Sequence, residues 1–268
     1  MSETSQGGGK WGDLAPRVLS GIGMAVGGLA LVWLGGPWFA ALAAIAGGIM
    51  IWELAAMTDR ARPSEALVLG LAAALILAVI LFTRNPFLVP LLAVPSLFGI
   101  ARPGRPLRLP FAIYAAMIMA TSYGLVAFRE GYGLLWLLWL ILVVVVTDIA
   151  GYFAGRILGG PKFWPRFSPK KTWSGIVAGW LAAAAIGAVF LRYSSAGIDL
   201  LWISALLAFA SQLGDIGESA IKRMSGVKDS SNLIPGHGGL MDRFDGLLGA
   251  ALFMLLVAQL TDVPSVRF

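Results

Sequence analysis

The sequence contains no cysteine, which excludes disulfides, thiolate metal sites and cysteine nucleophiles together. Histidine is nearly missing as well: His237 is the single one, so no histidine cluster is available to a transition metal. Charge is scarce. Asp, Glu, Lys and Arg make up 13% of the 268 residues, against roughly 25% in a soluble domain. What is present instead is apolar, 58% of the chain, gathered in long runs with short breaks. A run of about 18 or more apolar residues crosses a bilayer core of about 30 Å as a helix. The net charge of +6 has no basic helix or aromatic-basic module behind it, so it does not point to nucleic acid. In a membrane protein it reads as basic loops on the cytoplasmic side.

Breaks at Gly, Pro and charge clusters divide the chain into about nine candidate spans: 18–34, 38–57, 66–82, 87–100, 109–128, 134–155, 173–191, 200–224 and 244–260. The expected fold is therefore all-α, a polytopic transmembrane helical bundle. Segment 87–100 is the weakest of the nine, being short and holding Pro90 and Pro95. Residues Met1 to Lys10 are polar and Gly-rich, which predicts a disordered tail, and the first apolar run reads as an uncleaved span. If the N-terminus is cytoplasmic and loops alternate sides, sixteen basic residues fall inside and only Arg84, Arg129, Arg192 and Arg267 fall outside. That asymmetry is what the positive-inside rule asks for. It predicts Met1 inside, Phe268 outside and the two longest polar loops in the cytoplasm. Three regions are expected: a tail over 1–16, N-terminal membrane helices over 17–132, and a catalytic membrane region with cytoplasmic loops over 133–268.

An ionised group near the bilayer centre costs at least about 2.5–3.5 kcal/mol, so acidic residues in or beside the spans carry information. They are Asp148, Asp215, Glu218, Asp242 and Asp245, with Glu53 alone near the inner end of the second span. Ser211, Asp215, Glu218 and Lys222 share one helical face. Glu218 and Lys222 are spaced for an ion pair, a purely structural reading; Asp215 has no cation one turn away. Asp148 stands one turn from Tyr152, beside Gly151 and Gly155. The loop Lys228-Asp229-Ser230-Ser231-Asn232-Leu233-Ile234-Pro235-Gly236-His237-Gly238-Gly239 carries glycines whose N–H groups can cradle phosphate. Asp242 and Asp245 follow where the last span begins, where simple capping of a helix N-terminus is the plainer explanation for one of them. Ser168-Pro169-Lys170-Lys171-Thr172 puts two lysines next to the N-terminus of a span, with Thr172 as N-cap. Carboxylates without thiols suit a hard cation such as Mg²⁺, and basic and Gly-rich loops suit phosphates. Together they equip metal-assisted phosphoryl or nucleotidyl transfer at the inner membrane face.

The run Ser219-Ala220-Ile221-Lys222-Arg223, then Lys228-Asp229, then Pro235-Gly236-His237-Gly238-Gly239, then Asp242-Arg243-Phe244-Asp245 resembles the signature of the phosphatidate cytidylyltransferase (CDP-diacylglycerol synthase) family. The likeness is strong from about Asp148 to Gly246 and weak before it, with Arg17 resembling an arginine near the family's start. Ser174 stands where the family usually has an acid, Met241 where it has leucine, and Gly246 where it has serine. The resemblance implies CTP and phosphatidate as substrates, CDP-diacylglycerol and pyrophosphate as products, and Mg²⁺ as cofactor with a second, monovalent cation alongside. It implies Asp215 and Asp242 as metal ligands and catalytic residues, then Asp245 and Asp148. Lys170, Lys171, Lys222 and Arg223 become phosphate binders, Lys222 and Arg223 being catalytic as well, with Ser168, Thr172, Glu218, Ser219, Lys228, Asp229, Gly238, Gly239 and Arg243 at the substrate. His237 is expected to hold its loop or a phosphate, not to act as a base. A homodimer in a bacterial inner membrane, its active site toward the cytoplasm, completes the expectation. The rivals are a CTP-dependent polyprenol kinase and an ion-coupled transporter. No Asp-x-x-Asp-Gly-x-x-Ala-Arg run is present, which argues against a CDP-alcohol phosphotransferase.

Overall fold

A computed structural model describes residues 14–234 and 236–260, without the side chains of 14–20, 22 and 24. The expectations for the 1–10 tail, the Arg17 side chain, Pro235 and the position of Phe268 lie outside the described residues. Every expected span is a helix. In chain order they are α1 (Leu14–Leu34), α2 (Gly36–Thr58), α3 (Pro63–Thr83), α4 (Val94–Ala101), α5 (Arg108–Tyr132), α6 (Leu134–Ile157), α7 (Trp173–Phe190), α8 (Asp199–Met224) and α9 (Met241–Leu260). Seven of them, α2, α3 and α5 to α9, are long and apolar enough to cross a membrane. α3 shows the solvent it is built for: Leu67, Val68, Leu71 and Leu75 are exposed side by side, a patch that water disfavours and lipid accepts.

The fourth expected span departs from a plain helix. Pro86–Ala93 forms a 3-10 helix containing Pro90, and only then does the eight-residue α4 begin. Proline removes a donor and crowds the preceding turn, so the α-helical ladder cannot form through it. A 3-10 helix rises about 2 Å per residue against about 1.5 Å in an α-helix. The segment therefore reaches about 28 Å, close to the core thickness of about 30 Å, with few residues. A second departure lies in the loop after α6, where Lys162–Trp164 (β1) and Ser168–Thr172 (β2) pair as an antiparallel hairpin with an irregular register. Apart from an isolated bridge between Ile234 and Gly238, the regular structure among the described residues is otherwise helical.

Two side-chain clusters form the interior. Ile51, Leu54, Leu77, Phe111, Ile118 and Met119 knit α2, α3 and α5, with Leu248 of α9. Trp136, Trp139, Val143, Ala183, Leu207 and Ala250 knit α6 to α9. α8 and α9 touch almost backbone to backbone: a methyl added at Gly214 would strike the Asp245 carbonyl, and one at Gly249 the Ala210 carbonyl. The polar ends of the helices are tied together. Glu65 of α3 holds Arg102 and Arg105, each at 2.9 Å, and Arg105 lies 3.9 Å above the Phe111 ring. Arg60 donates to the Ser225 and Gly226 carbonyls, joining the α2–α3 turn to the α8–α9 loop.

Candidate active site

Four elements enclose a cavity of about 390 Å³ at the polar ends of the helices: α6, β2, α7 and α8. Asp148 and Arg156 enter it from α6, Lys170 and Lys171 from β2, and Gln212 and Asp215 from α8. β2 delivers its lysines because Thr172 ends the strand and caps α7, its hydroxyl accepting from the Gly175 N–H at 3.3 Å. Ser174 donates to the Gly159 carbonyl and lies 3.0 Å from the Thr172 hydroxyl, so this residue ties the start of α7 to the segment that follows α6. Gly151 and Gly175 let α6 and α7 approach; a methyl at Gly175 would sit 2.6 Å from the Gly151 carbonyl oxygen.

Lys171 Nζ lies 2.5 Å from Asp215 Oδ2 and also donates to the Gln212 carbonyl. Asp148 stands within electrostatic reach of both Lys171 and Asp215. Ser219 donates to the other Asp215 oxygen at 3.3 Å. The cation that Asp215 lacks one turn away on its own helix thus comes from β2.

A second constellation lies where α8 ends and α9 begins. Lys222 bridges Glu218 at 2.9 Å and Asp242 at 2.7 Å, all three largely withdrawn from solvent. Asp242 Oδ2 accepts from the Ser230 N–H, the Ser230 hydroxyl and the Gly239 N–H at 2.9, 3.0 and 2.7 Å. Glu53 of α2, fully buried, accepts from the Leu240 and Met241 N–H groups at 2.8 and 2.7 Å and from the Ser231 hydroxyl at 2.6 Å. The exposed amides of the loop are there, as its glycines suggest, but four of its donors hold the protein's own carboxylates. Arg243 reaches back to the His237 carbonyl, and the His237 ring sits over Gly21 of α1. Gly238, at φ +85°, turns the chain so that its carbonyl accepts from Ile234. Arg223, Lys228 and Asp229 are exposed at this end of the molecule, and Ser168 sits part-buried at the start of β2.

Asp245 links the two constellations, lying within electrostatic reach of Asp215, Asp148 and Glu218. Tyr114 of α5, buried with its hydroxyl unpartnered, faces the field of Glu218, Asp245, Asp215 and Asp242 together. Among the described residues no three Asp, Glu or His side chains close around a single point. The Asp215 side chain is 31% exposed and Asp242 5%, so of these two it is Asp215, beside the exposed Asp148, that meets a ligand entering the cavity. Oxygen donors from Asp148 and Asp215 fit a hard divalent cation that takes its other ligands from water and substrate phosphates.

The sequence model of the cytidylyltransferase family matches residues 15–261. The chain belongs to the cytidylyltransferase family. It is 35% identical over 265 residues to the phosphatidate cytidylyltransferase of Brucella suis, covering 96% of this chain and 98% of that one. The enzyme of the same name from Bacillus subtilis is 40% identical over 134 residues, 49% of this chain and 50% of its own. That of Haemophilus influenzae is 40% identical over 129 residues, 46% and 45% of the two chains. In this cytidylyltransferase the residues to which sequence reasoning gave no role are Glu53, Ser230, Ser231 and Tyr114. Glu53 had a signal, a lone acid in an apolar span. The two serines and Tyr114 had none, since nothing in their own neighbourhood sets them apart.

Proposed function

We propose that this chain is a phosphatidate cytidylyltransferase, joining the cytidylyl group of CTP to the phosphate of phosphatidate and releasing pyrophosphate. The observation that carries this reading is the cavity in which Asp148 and Asp215 meet Lys170 and Lys171 at the ends of apolar helices. A water-soluble triphosphate and a membrane-anchored phosphate can meet only at such a boundary. The names of the bacterial relatives support the choice of substrates and a bacterial membrane, and the sixteen-to-four distribution of basic residues supports a cytoplasmic site.

The lipid phosphate is already an anion near neutral pH, so attack on the α-phosphorus needs no strong base. Positioning and charge neutralisation carry the rate. Lys170 and Lys171 bind the triphosphate oxygens, Lys171 exchanging Asp215 for a phosphate as the nucleotide enters. Asp215 and Asp148, with Asp245 behind them, are the residues that would hold Mg²⁺. Bound there, the cation would draw charge from the phosphate oxygens and orient the leaving pyrophosphate. Asp242, with its oxygens on Lys222, Ser230 and Gly239, keeps the α9 start and the Gly-rich loop in register, and Lys222 and Arg223 present positive charge to the lipid phosphate. A homodimer and a second, monovalent cation belong to the same reading.

Purified protein given CTP, phosphatidate and Mg²⁺ should yield CDP-diacylglycerol and pyrophosphate, and excess EDTA should stop it. Phospholipid with CDP would instead mean γ-phosphoryl transfer by a lipid kinase. No lipid product under any condition would overturn the enzyme reading.

A further inference from the structure

On the other flank of α9 the helices enclose an apolar groove of about 200 Å³, walled by α1, α2, α5, α6 and α9. Gly28, Ala43, Ala46, Leu125, Phe244 and Leu248 are among its lining. Of the two hydroxyl-bearing residues in its wall, Thr121 and Ser122, Thr121 turns its hydroxyl onto the Met117 carbonyl of its own helix at 2.7 Å. We propose that this groove holds one acyl chain of the phosphatidate substrate and that Gly28 leaves room for it past the groove's middle. The proposal rests on the cytidylyltransferase reading above and adds to it the place of the lipid tail.

Size and surroundings restrict the occupant. With the Thr121 hydroxyl spent on its own helix, a water there would find only the Ser122 hydroxyl, short of the two or more partners it needs, and a helix with side chains is about 10 Å across, too wide for a groove of this volume. At this depth in a membrane a hydrocarbon chain remains. Position makes it a chain of the substrate. Phe244 lies one turn into α9, about 5 Å from its start, next to Arg243 and between Asp242 and Asp245. Gly28 lies about four turns beyond the start of α1, about 21 Å from the same polar side. The groove thus runs from just under the headgroup chemistry to past the middle of a core about 30 Å thick. The two are also joined along α1. Gly21, Gly28 and Val32 share one helical face; the first lies under the His237 ring and the other two line the groove.

Gly28 offers a direct test because a Cβ built on it meets nothing within 4 Å, and the same is true of Gly27. Gly28 lines the groove; Gly27 does not and is exposed. Gly28→Leu therefore puts its bulk into the groove from a position whose Cβ meets no neighbour, and Gly27→Leu adds the same bulk toward bulk lipid. CDP-lipid formation is measured in mixed micelles with dioleoyl and dioctanoyl phosphatidate. Gly28→Leu should lower turnover of the dioleoyl substrate by about tenfold or more, the equivalent of leaving about two methylenes unburied. It should leave the dioctanoyl substrate within about twofold of wild type, a difference too small to be the loss of one buried methylene. Gly27→Leu should change neither. Equal loss of both substrates in Gly28→Leu, no loss of either, or the same chain-length effect in Gly27→Leu would each overturn the proposal. If wild-type protein makes CDP-lipid from neither substrate, the underlying functional reading fails first.

Discussion

Lys171 and Asp215 neutralise each other across the cavity at 2.5 Å, with 21% and 31% of their side chains exposed. A pair so open to solvent contributes little to stability, about 1 kcal/mol or less, so its place in the structure is explained better by what it does for a ligand. Asp215→Asn should lower CDP-lipid formation by about 100-fold or more, the scale of losing one group aimed at transition-state charge, while the melting temperature stays close to wild type. Activity near wild type would remove Asp215 from the reaction. Glu53 is the opposite case. It is fully buried and holds two backbone N–H groups at the start of α9. Each buried donor left unpaired costs about 1–3 kcal/mol. Glu53→Ala should therefore destabilise the folded protein in detergent by at least about 2 kcal/mol, and Glu53→Gln, which keeps an acceptor oxygen, by less. A denaturant titration that ranks the three proteins in any other order would contradict this role for Glu53.

Helix contacts decide where these groups stand. α8 carries Asp215, Glu218 and Lys222, α9 carries Asp242 and Asp245, and the two touch through Gly214 and Gly249. Gly249→Ala places a methyl against the Ala210 carbonyl. The helices must part by the difference, at a cost of about 1–3 kcal/mol for overpacking. Because the same crossing sets the distance between Lys222 and Asp242, this variant should lose activity as well as stability, whereas Gly27→Ala should lose neither. Full activity of a destabilised Gly249→Ala protein would mean that the crossing supports the fold alone. The hairpin makes a comparable use of a cap: Thr172 starts α7 and in doing so holds Lys170 and Lys171 over the cavity.

The molecule as a whole has two ends, and the lack of any cysteine makes them easy to tell apart. Single cysteines at Ser64 and Lys228, both exposed at the end that bears the site, should react with an impermeant thiol reagent only from the cytoplasmic side. Cysteines at Asn85 and Arg192 should react only from the opposite side. Labelling of Ser64→Cys and Asn85→Cys from one side would break the topology, since α3 would then not cross. The same arrangement explains why Pro86–Ala101 stretches its backbone: it returns the chain toward the end that bears the site with fewer residues than a regular span uses.

Much of this was legible in the chain itself. Helix positions could be read because lipid leaves a backbone no partner but itself, so each apolar run long enough to cross must coil into a helix. Asp148, Asp215, Glu218, Asp242 and Asp245 stood out because charge is costly in that setting and therefore rare. Spacing along one helix revealed the Glu218–Lys222 pair. Only the tertiary structure decided that Lys171 answers Asp215, that Glu53 caps a helix beginning 188 residues later, and that the Gly-rich loop gives its amides to Asp242. Those partners meet because separate helices adjoin, and a contact between helices is set by the shape of both faces at once. A single chain states each face and leaves their pairing to the packed bundle.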